Sequence, residues 1–190
     1  MVENLIPNIL PNKSVEQYFF TENTLESITS AFEYIEENEI ICLCTPMVAD
    51  YFYSRKGKNV LLLDCDERFS YLPKFHQFDL VDPVLEFEWS SPRVLIVDPP
   101  FFNVNLVYLK NSVDVLTKKD FKTCIAIAFV IREEKSLLSI FKEYNLKLTK
   151  LKLEYADVDA TKWDNYGLYS NFEMGKIKFI KKSIKKSNKK

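Results

Sequence analysis

The chain has 190 residues, of which 47% are apolar, 14% aromatic and 28% charged, a balance that suits one domain with a full core and excludes disordered and collagen-like chains. No run approaches the ~18 uninterrupted apolar residues that cross a bilayer. The net charge of −1 conceals an asymmetry: residues 176–190 carry eight lysines and no acid, which leaves 18 bases against 27 acids before them, a charge of −9. A lysine tail on an acidic body serves solubility or contacts phosphates.

Residues 1–11 lack the basic start and long apolar run of a signal peptide, so a cytoplasmic protein is expected, with the nucleus or nucleolus as further compartments. The four cysteines (Cys42, Cys44, Cys65, Cys124) sit in apolar, strand-like surroundings, which predicts buried reduced thiols rather than a disulfide framework. With one histidine, His76, and no C-x-x-C pair, no metal site is expected.

Along the chain, residues 1–14 read as an irregular arm, 15–180 as the domain and 181–190 as the lysine-rich tail. Leu25, Ile28, Phe32 and Ile35 follow helical spacing and predict a helix over 23–37, with Asn23 and Glu26 as a capping pair. Ile40 to Cys44 is a buried strand; Pro46 then opens a helix that stops near Gly57. Val60 to Leu63 is a second strand ending at Asp64, Phe75 to Leu80 a weaker third, and Val94 to Val97 a fourth ending at Asp98. A helix near 105–117, a buried run Cys124 to Val130 and a helix over 132–144 follow. Leu146 to Tyr155 and Lys176 to Ile180 alternate apolar and charged residues, which predicts antiparallel strands at the edge of an otherwise parallel α/β sheet.

The chemistry of such a sheet lies beyond the carboxyl ends of its strands. Only three glycines occur (Gly57, Gly167, Gly175), so P-loops and dinucleotide fingerprints are excluded. The sharpest motif is Asp98-Pro99-Pro100-Phe101, directly after Val94 to Val97. Two consecutive prolines remove backbone N–H groups, so this corner presents acceptors: the Asp98 carboxylate and the Pro99 carbonyl. An exocyclic amine can donate both hydrogens to that pair, which aims its lone pair at an electrophilic carbon. Phe101, followed by Phe102, offers a face on which a base can stack. A simple turn is the competing reading of Asp-Pro.

Asp64 and Asp66 are both candidates for ribose hydroxyls at the end of the second strand, and Asp79 for a base amine at the end of the next. Without a glycine-rich loop, Cys44-Thr45-Pro46 must carry the backbone approach to a ligand. Phe19 and Phe20 read as a hydrophobic staple, while Tyr18 is either staple or lid. Trp163 to Tyr169 reads as an aromatic loop, with Asn165, Tyr166 and Tyr169 as candidate substrate contacts. His76 reads as an ordinary strand or loop histidine.

Gln17-Tyr18-Phe19-Phe20, Leu43 to Pro46, Leu61 to Phe69, Lys74 to Asp79, Asp98-Pro99-Pro100-Phe101 and Asp164 to Tyr169 together resemble, in collinear order over roughly residues 14–180, the eukaryotic DPPF-type methyltransferases. Two branches are similar: the zinc-knuckle methyltransferases of ribosomal RNA adenine and the small lysine methyltransferases of elongation factor 1A. The resemblance implies a class I Rossmann-like fold with a mostly parallel seven-stranded sheet and antiparallel C-terminal strands. It implies S-adenosylmethionine as cofactor, with Cys44, Thr45, Pro46, Asp64, Asp66, Asp79 and Asp98 around it, and Asp98 to Phe101 as the catalytic corner. The expected activity is adenine-N6 methylation of structured RNA, aided by the tail or an adaptor protein in place of zinc modules. The alternatives are lysine methylation of elongation factor 1A and a non-catalytic module on the same fold.

Overall fold

The computed structural model describes residues 9–15, 17–85, 87–102 and 105–180. The described residues build a mixed sheet of seven strands: β1 (Ile40–Leu43), β2 (Leu61–Asp64), β3 (Phe75–Gln77), β4 (Val94–Val97), β5 (Cys124–Val130), β6 (Lys147–Leu148) and β7 (Tyr166–Ser170). Their order is β3-β2-β1-β4-β5-β7-β6, with the first five parallel and β7 antiparallel to both of its neighbours. This is the α/β arrangement that the apolar runs predict. Every residue of β1 and β4 is buried, as expected for parallel strands covered on both faces.

Four helices join the strands: α1 (Glu22–Ala31), α2 (Pro46–Lys56), α3 (Leu106–Leu116) and α4 (Glu134–Ile140). Helix α1 packs on α2, and α3 on α4. Helix α2 begins with Pro46 in its first turn and stops at Gly57, whose φ of 64° is left-handed. Helix α3 starts on Asn105, whose side chain accepts from the Val107 N–H.

Several boundaries differ from the sequence reading. Helix α1 ends at Ala31 instead of 37, because Phe32 closes it with a tight bond to the Thr29 carbonyl and Lys58 Nζ takes the Ile35 carbonyl at 2.6 Å. Its cap is Thr21, which accepts from the Thr24 N–H, while Glu26 bonds Ser30, Tyr51 and Lys56. The helix expected over 132–144 is broken into α4 between two 3₁₀ turns. Strand β3 stops at Gln77, well before Leu80.

The antiparallel pair exists but is built from other residues. Strand β7 arises from the segment read as an aromatic loop, and pairs Tyr166 to Ser170 with Ala126 to Val130. The run Leu146 to Tyr155 is strand only at β6, and Lys176 to Ile180 contributes isolated bridges such as Thr149 to Phe179. Strand β7 is packed closely at Gly167: a Cβ there would lie 2.5 Å from Leu148 Cδ1 and 3.3 Å from Ile131 Cγ1, so those side chains would have to shift. Of the four thiols expected to be buried, Cys42 is buried, Cys44 and Cys124 are half-buried, and Cys65 is exposed because it follows the last residue of β2. The lysines at 181–190 and residues 1–8 of the arm lie outside the described residues. Among the described residues no helix is long and apolar enough to cross a membrane.

A Cβ at Gly57 would point into open space, so Gly57→Ala meets left-handed strain alone and is expected to cost about 1 kcal/mol. Gly175, at φ 52°, would bring its Cβ to 3.0 Å from the Ala31 Cα of α1. Gly175→Ala therefore adds a backbone clash to the strain and should cost roughly 3 kcal/mol. Urea unfolding midpoints of the two variants check the ranking; equal losses would refute it.

Candidate functional site

Strand order reverses between β1 and β4, where their outgoing loops diverge and leave a crevice. The register sets Leu43 opposite Leu63 on one side and Val97 on the other. Cys44, Asp64 and Asp98 are thereby brought to one edge. The Cys44 N–H reaches the Leu63 carbonyl at 2.9 Å, and the Asp98 N–H reaches the Leu43 carbonyl at 3.3 Å. A cavity of about 110 Å³ opens there, lined by Cys44, Thr45, Pro46, Asp64 and Asp98 to Phe101, and roofed by Gln17 to Phe20.

Cys44 has φ 53°, a left-handed conformation that glycine would adopt without strain. The missing glycine is thus replaced by a strained cysteine that turns the chain out of β1 into α2. Burial pushes its thiol well above the ordinary range, and the surrounding carboxylates of Asp64, Asp98 and Asp79 push it the same way.

Asp98 is half-buried, and burial raises its carboxyl well above the ordinary carboxylate range. The Tyr155 hydroxyl opposes this by donating to Asp98 Oδ1 at 3.0 Å, while Asp64 reinforces it by repulsion. Asp64 is itself buried, and burial lifts it from 3.8 to about 6. The cavity therefore sets two acids side by side, with Asp64 further disfavouring the charged form of Asp98.

Tyr155 is the functional side chain that the sequence reading misses. It is fully buried behind Asp98, with its ring 4.9 Å from that of Tyr166 and 6.2 Å from that of Phe101. Its backbone pairs with the strap over the cavity: Tyr155 bridges Phe20, and the Ala156 N–H reaches the Phe19 carbonyl at 2.8 Å. Trp163 clamps the same turn from below, donating Nε1–H to the Tyr155 and Val158 carbonyls.

Other candidates are dispersed. Asp66 lies outside the cavity lining, with its carboxylate taken by Arg68 and by Gln17 Nε2. Asp79 lines a second cavity of about 570 Å³ beside β3, which adjoins the first at Cys65. His76 lines it too, stacked 3.9 Å from Phe87. Phe101 is only 7% exposed, packed against Phe129, Tyr155 and Tyr166, whereas Phe102 is 53% exposed. Tyr166 stands beside Phe101 at 5.3 Å, and Asn165 is exposed next to it. Tyr169 needs correction as a substrate contact: strand alternation buries it, and its hydroxyl meets Glu134 at 3.2 Å. Phe19 and Phe20 are core residues, and Tyr18 both lines the cavity and meets Tyr155 edge-on at 6.4 Å.

A family profile described as "Probable N6-adenine methyltransferase" matches residues 11–174. The chain belongs to this family. Among solved structures it is similar to the precorrin-6y C5,15-methyltransferase of Geobacter metallireducens, at 8% identity and a TM-score of 0.51 over 86% of this chain and 92% of that one. It is also similar to the N-methyltransferase NodS of Bradyrhizobium japonicum, at 9% identity and a TM-score of 0.45 over 78% and 92%. No curated protein sequence matches. The fold is that of a class I methyltransferase, and the enzyme uses S-adenosylmethionine as methyl donor.

The residues present fit that cofactor. When bound, it supplies an electrophilic methyl group on a positively charged sulfur. Asp64, Asp98 and, in the adjoining cavity, Asp79 supply negative charge, and the nearby Arg68 is already held by Asp66. The second cavity falls within the ~300–1,000 Å³ that ligand pockets occupy, while the first has room for only a fragment.

Tyr155→Phe removes a hydrogen bond that favours the charged form of Asp98, so the Asp98 pKa should rise further. Carbon-13 NMR titration of labelled aspartate carboxyls reads this directly. An unchanged or lowered value would show that Tyr155 does not stabilise the carboxylate.

Proposed function

We propose that this methyltransferase acts on the N6 amine of adenine in structured, ribosomal RNA. The observation that carries the reading is the acceptor corner itself: Asp98 and Pro99 line a cavity at the switch point, beside an aromatic wall of Tyr18 and Phe101. The family description supports the same acceptor chemistry.

In this reading Asp98 and the Pro99 carbonyl accept the two amine hydrogens and fix the direction of the nitrogen lone pair. Pro99 and Pro100 hold the corner rigid and contribute no competing N–H. Tyr155 holds Asp98 Oδ1 from behind, so the carboxylate presents its other oxygen in a set orientation. Phe101 walls the base, and Phe102 and Tyr166 extend that aromatic surface outward. Asp64 accepts from ribose hydroxyls of the cofactor, and Asp79 faces its base. The neutral adenine amine needs only orientation, whereas a lysine, with a reference pKa of ~10.4, must first lose a proton that Asp98 would help it keep. RNA presentation by the lysine tail or an adaptor protein, in the cytoplasm or nucleolus, completes the proposal.

Tritiated S-adenosylmethionine incubated with ribosomal RNA and with purified elongation factor 1A separates the two acceptors. Label is expected in RNA; label in protein alone would overturn the reading. Asp98→Asn should lower transfer by about 10²-fold or more, on the scale of losing one preorganised electrostatic contact. Activity near wild type in that variant would remove the corner from the mechanism.

The Asp64 carboxyl is ionised above about 6 and protonated below it. A protonated carboxyl is a poorer acceptor, so affinity for S-adenosylhomocysteine should fall as pH drops through about 6. Calorimetry on Asp64→Asn should show weaker binding without that step. A wild-type affinity indifferent to pH in this range would count against the assignment.

A further inference from the structure

Arg132 stands beside the aromatic residues that flank the Asp98 corner. Strand β5 ends at Val130, paired with Tyr166, so Arg132 lies two residues beyond the strand at the same edge as Asp98. Its guanidinium carbon sits 4.9 Å from the centre of the Phe102 ring. Phe102 adjoins Phe101, and Phe101 is 5.3 Å from Tyr166. The positive charge also reaches the Tyr166 phenol, where it opposes the rise that burial imposes.

Glu134 receives the Tyr169 hydroxyl, and Glu133 lies within 3.5 Å of the Ser136 hydroxyl. Arg68 is paired with Asp66 and Arg93 with Glu39, but among the described residues no carboxylate comes within ion-pair distance of Arg132. The residue is exposed on a body that carries a charge of −9 up to residue 175. An aromatic ring under the guanidinium orders it while leaving its edge N–H donors directed outward. That fork matches two oxygens of a phosphate.

We propose that Arg132, held on Phe102, binds a backbone phosphate next to the adenine presented to Asp98 and thereby favours a nucleic acid over a protein amine at this site. The proposal rests on the acceptor reading above. A phosphate gains a bidentate contact at the mouth, whereas a lysine-bearing peptide meets a like charge there. Arg132 is thus a specificity residue for the reaction, distinct from the corner that handles the amine.

The test uses the full chain with S-adenosylhomocysteine and a fluorescein-labelled RNA hairpin carrying unpaired loop adenines. Anisotropy between 50 and 200 mM KCl gives the slope of log affinity against log salt. Loss of one phosphate contact should reduce that slope by ~0.7–0.9 in Arg132→Ala. Arg132→Lys should keep the slope and recover only part of the affinity. Equal thermal midpoints for the three proteins establish that folding is unaffected. An unchanged slope in Arg132→Ala, while wild type labels ribosomal RNA, overturns the arginine's role and leaves the acceptor reading standing. Label in elongation factor 1A alone overturns the acceptor reading and this inference with it.

Discussion

Parallel pairing of β1 with β2 on one side and β4 on the other brings three loop starts to one edge of the sheet. Leu43 is the common partner of Leu63 and Val97, so Cys44, Asp64 and Asp98 emerge together. A slip of one residue in either ladder would turn a carboxylate to the opposite face. The burial of all four residues in both β1 and β4 resists such a slip, because it would carry apolar side chains out of matched positions. The reactive edge is therefore held by the most apolar part of the molecule.

What this edge concentrates is negative charge without compensation. Asp64 and Asp98 are each raised above all by burial, Asp98 further by repulsion from Asp64, and Cys44 records the same field. Burial of such groups costs free energy unless something neutralises them. A cationic cofactor supplies that neutralisation, so part of its binding is the relief of a repulsion already present in the protein. The strained backbone of Cys44 belongs to the same pattern. A residue in the left-handed region costs about 1–2 kcal/mol, and here it sits where chain and ligand approach most closely.

The central strands were legible because parallel strands covered on both faces read as continuous apolar runs, and β1, β2, β4 and β5 are such runs. The Asp98 corner was legible for the same reason: its position follows from the strand before it. Strand β7 was not, since Tyr166 to Ser170 mixes aromatics with Gly167 and imitates a loop. Its Gly167 leaves room for the Leu148 side chain. Tyr155 was hidden in the phase of Leu151 and Leu153, which reads as core. Its hydroxyl finds Asp98 only because the distant segment Phe19 to Thr21 pairs with 154–156. Asp64 and Asp66 were equivalent as neighbouring acids in sequence. The end of β2 separates them, because Asp64 is the last residue of the strand while Asp66 caps the 3₁₀ turn after it.

That separation explains how an acidic site coexists with a basic side chain nearby. Arg68 bonds both oxygens of Asp66, the Gln17 side chain and the Leu10 carbonyl, at 2.7–2.9 Å. An exposed ion pair alone contributes up to about 1 kcal/mol, but this fork also ties the strap to the loop after β2. Segment 154–156 ties the strap from the other side. The strap roofs the small cavity and leaves the larger one beside β3 outside that roof. Had Arg68 instead reached Asp64, it would have neutralised the cavity and loosened the strap together. Pairing it with Asp66 closes the roof while keeping the two interior carboxylates unpaired with any cation among the described residues, which is the electrostatic state that a sulfonium requires.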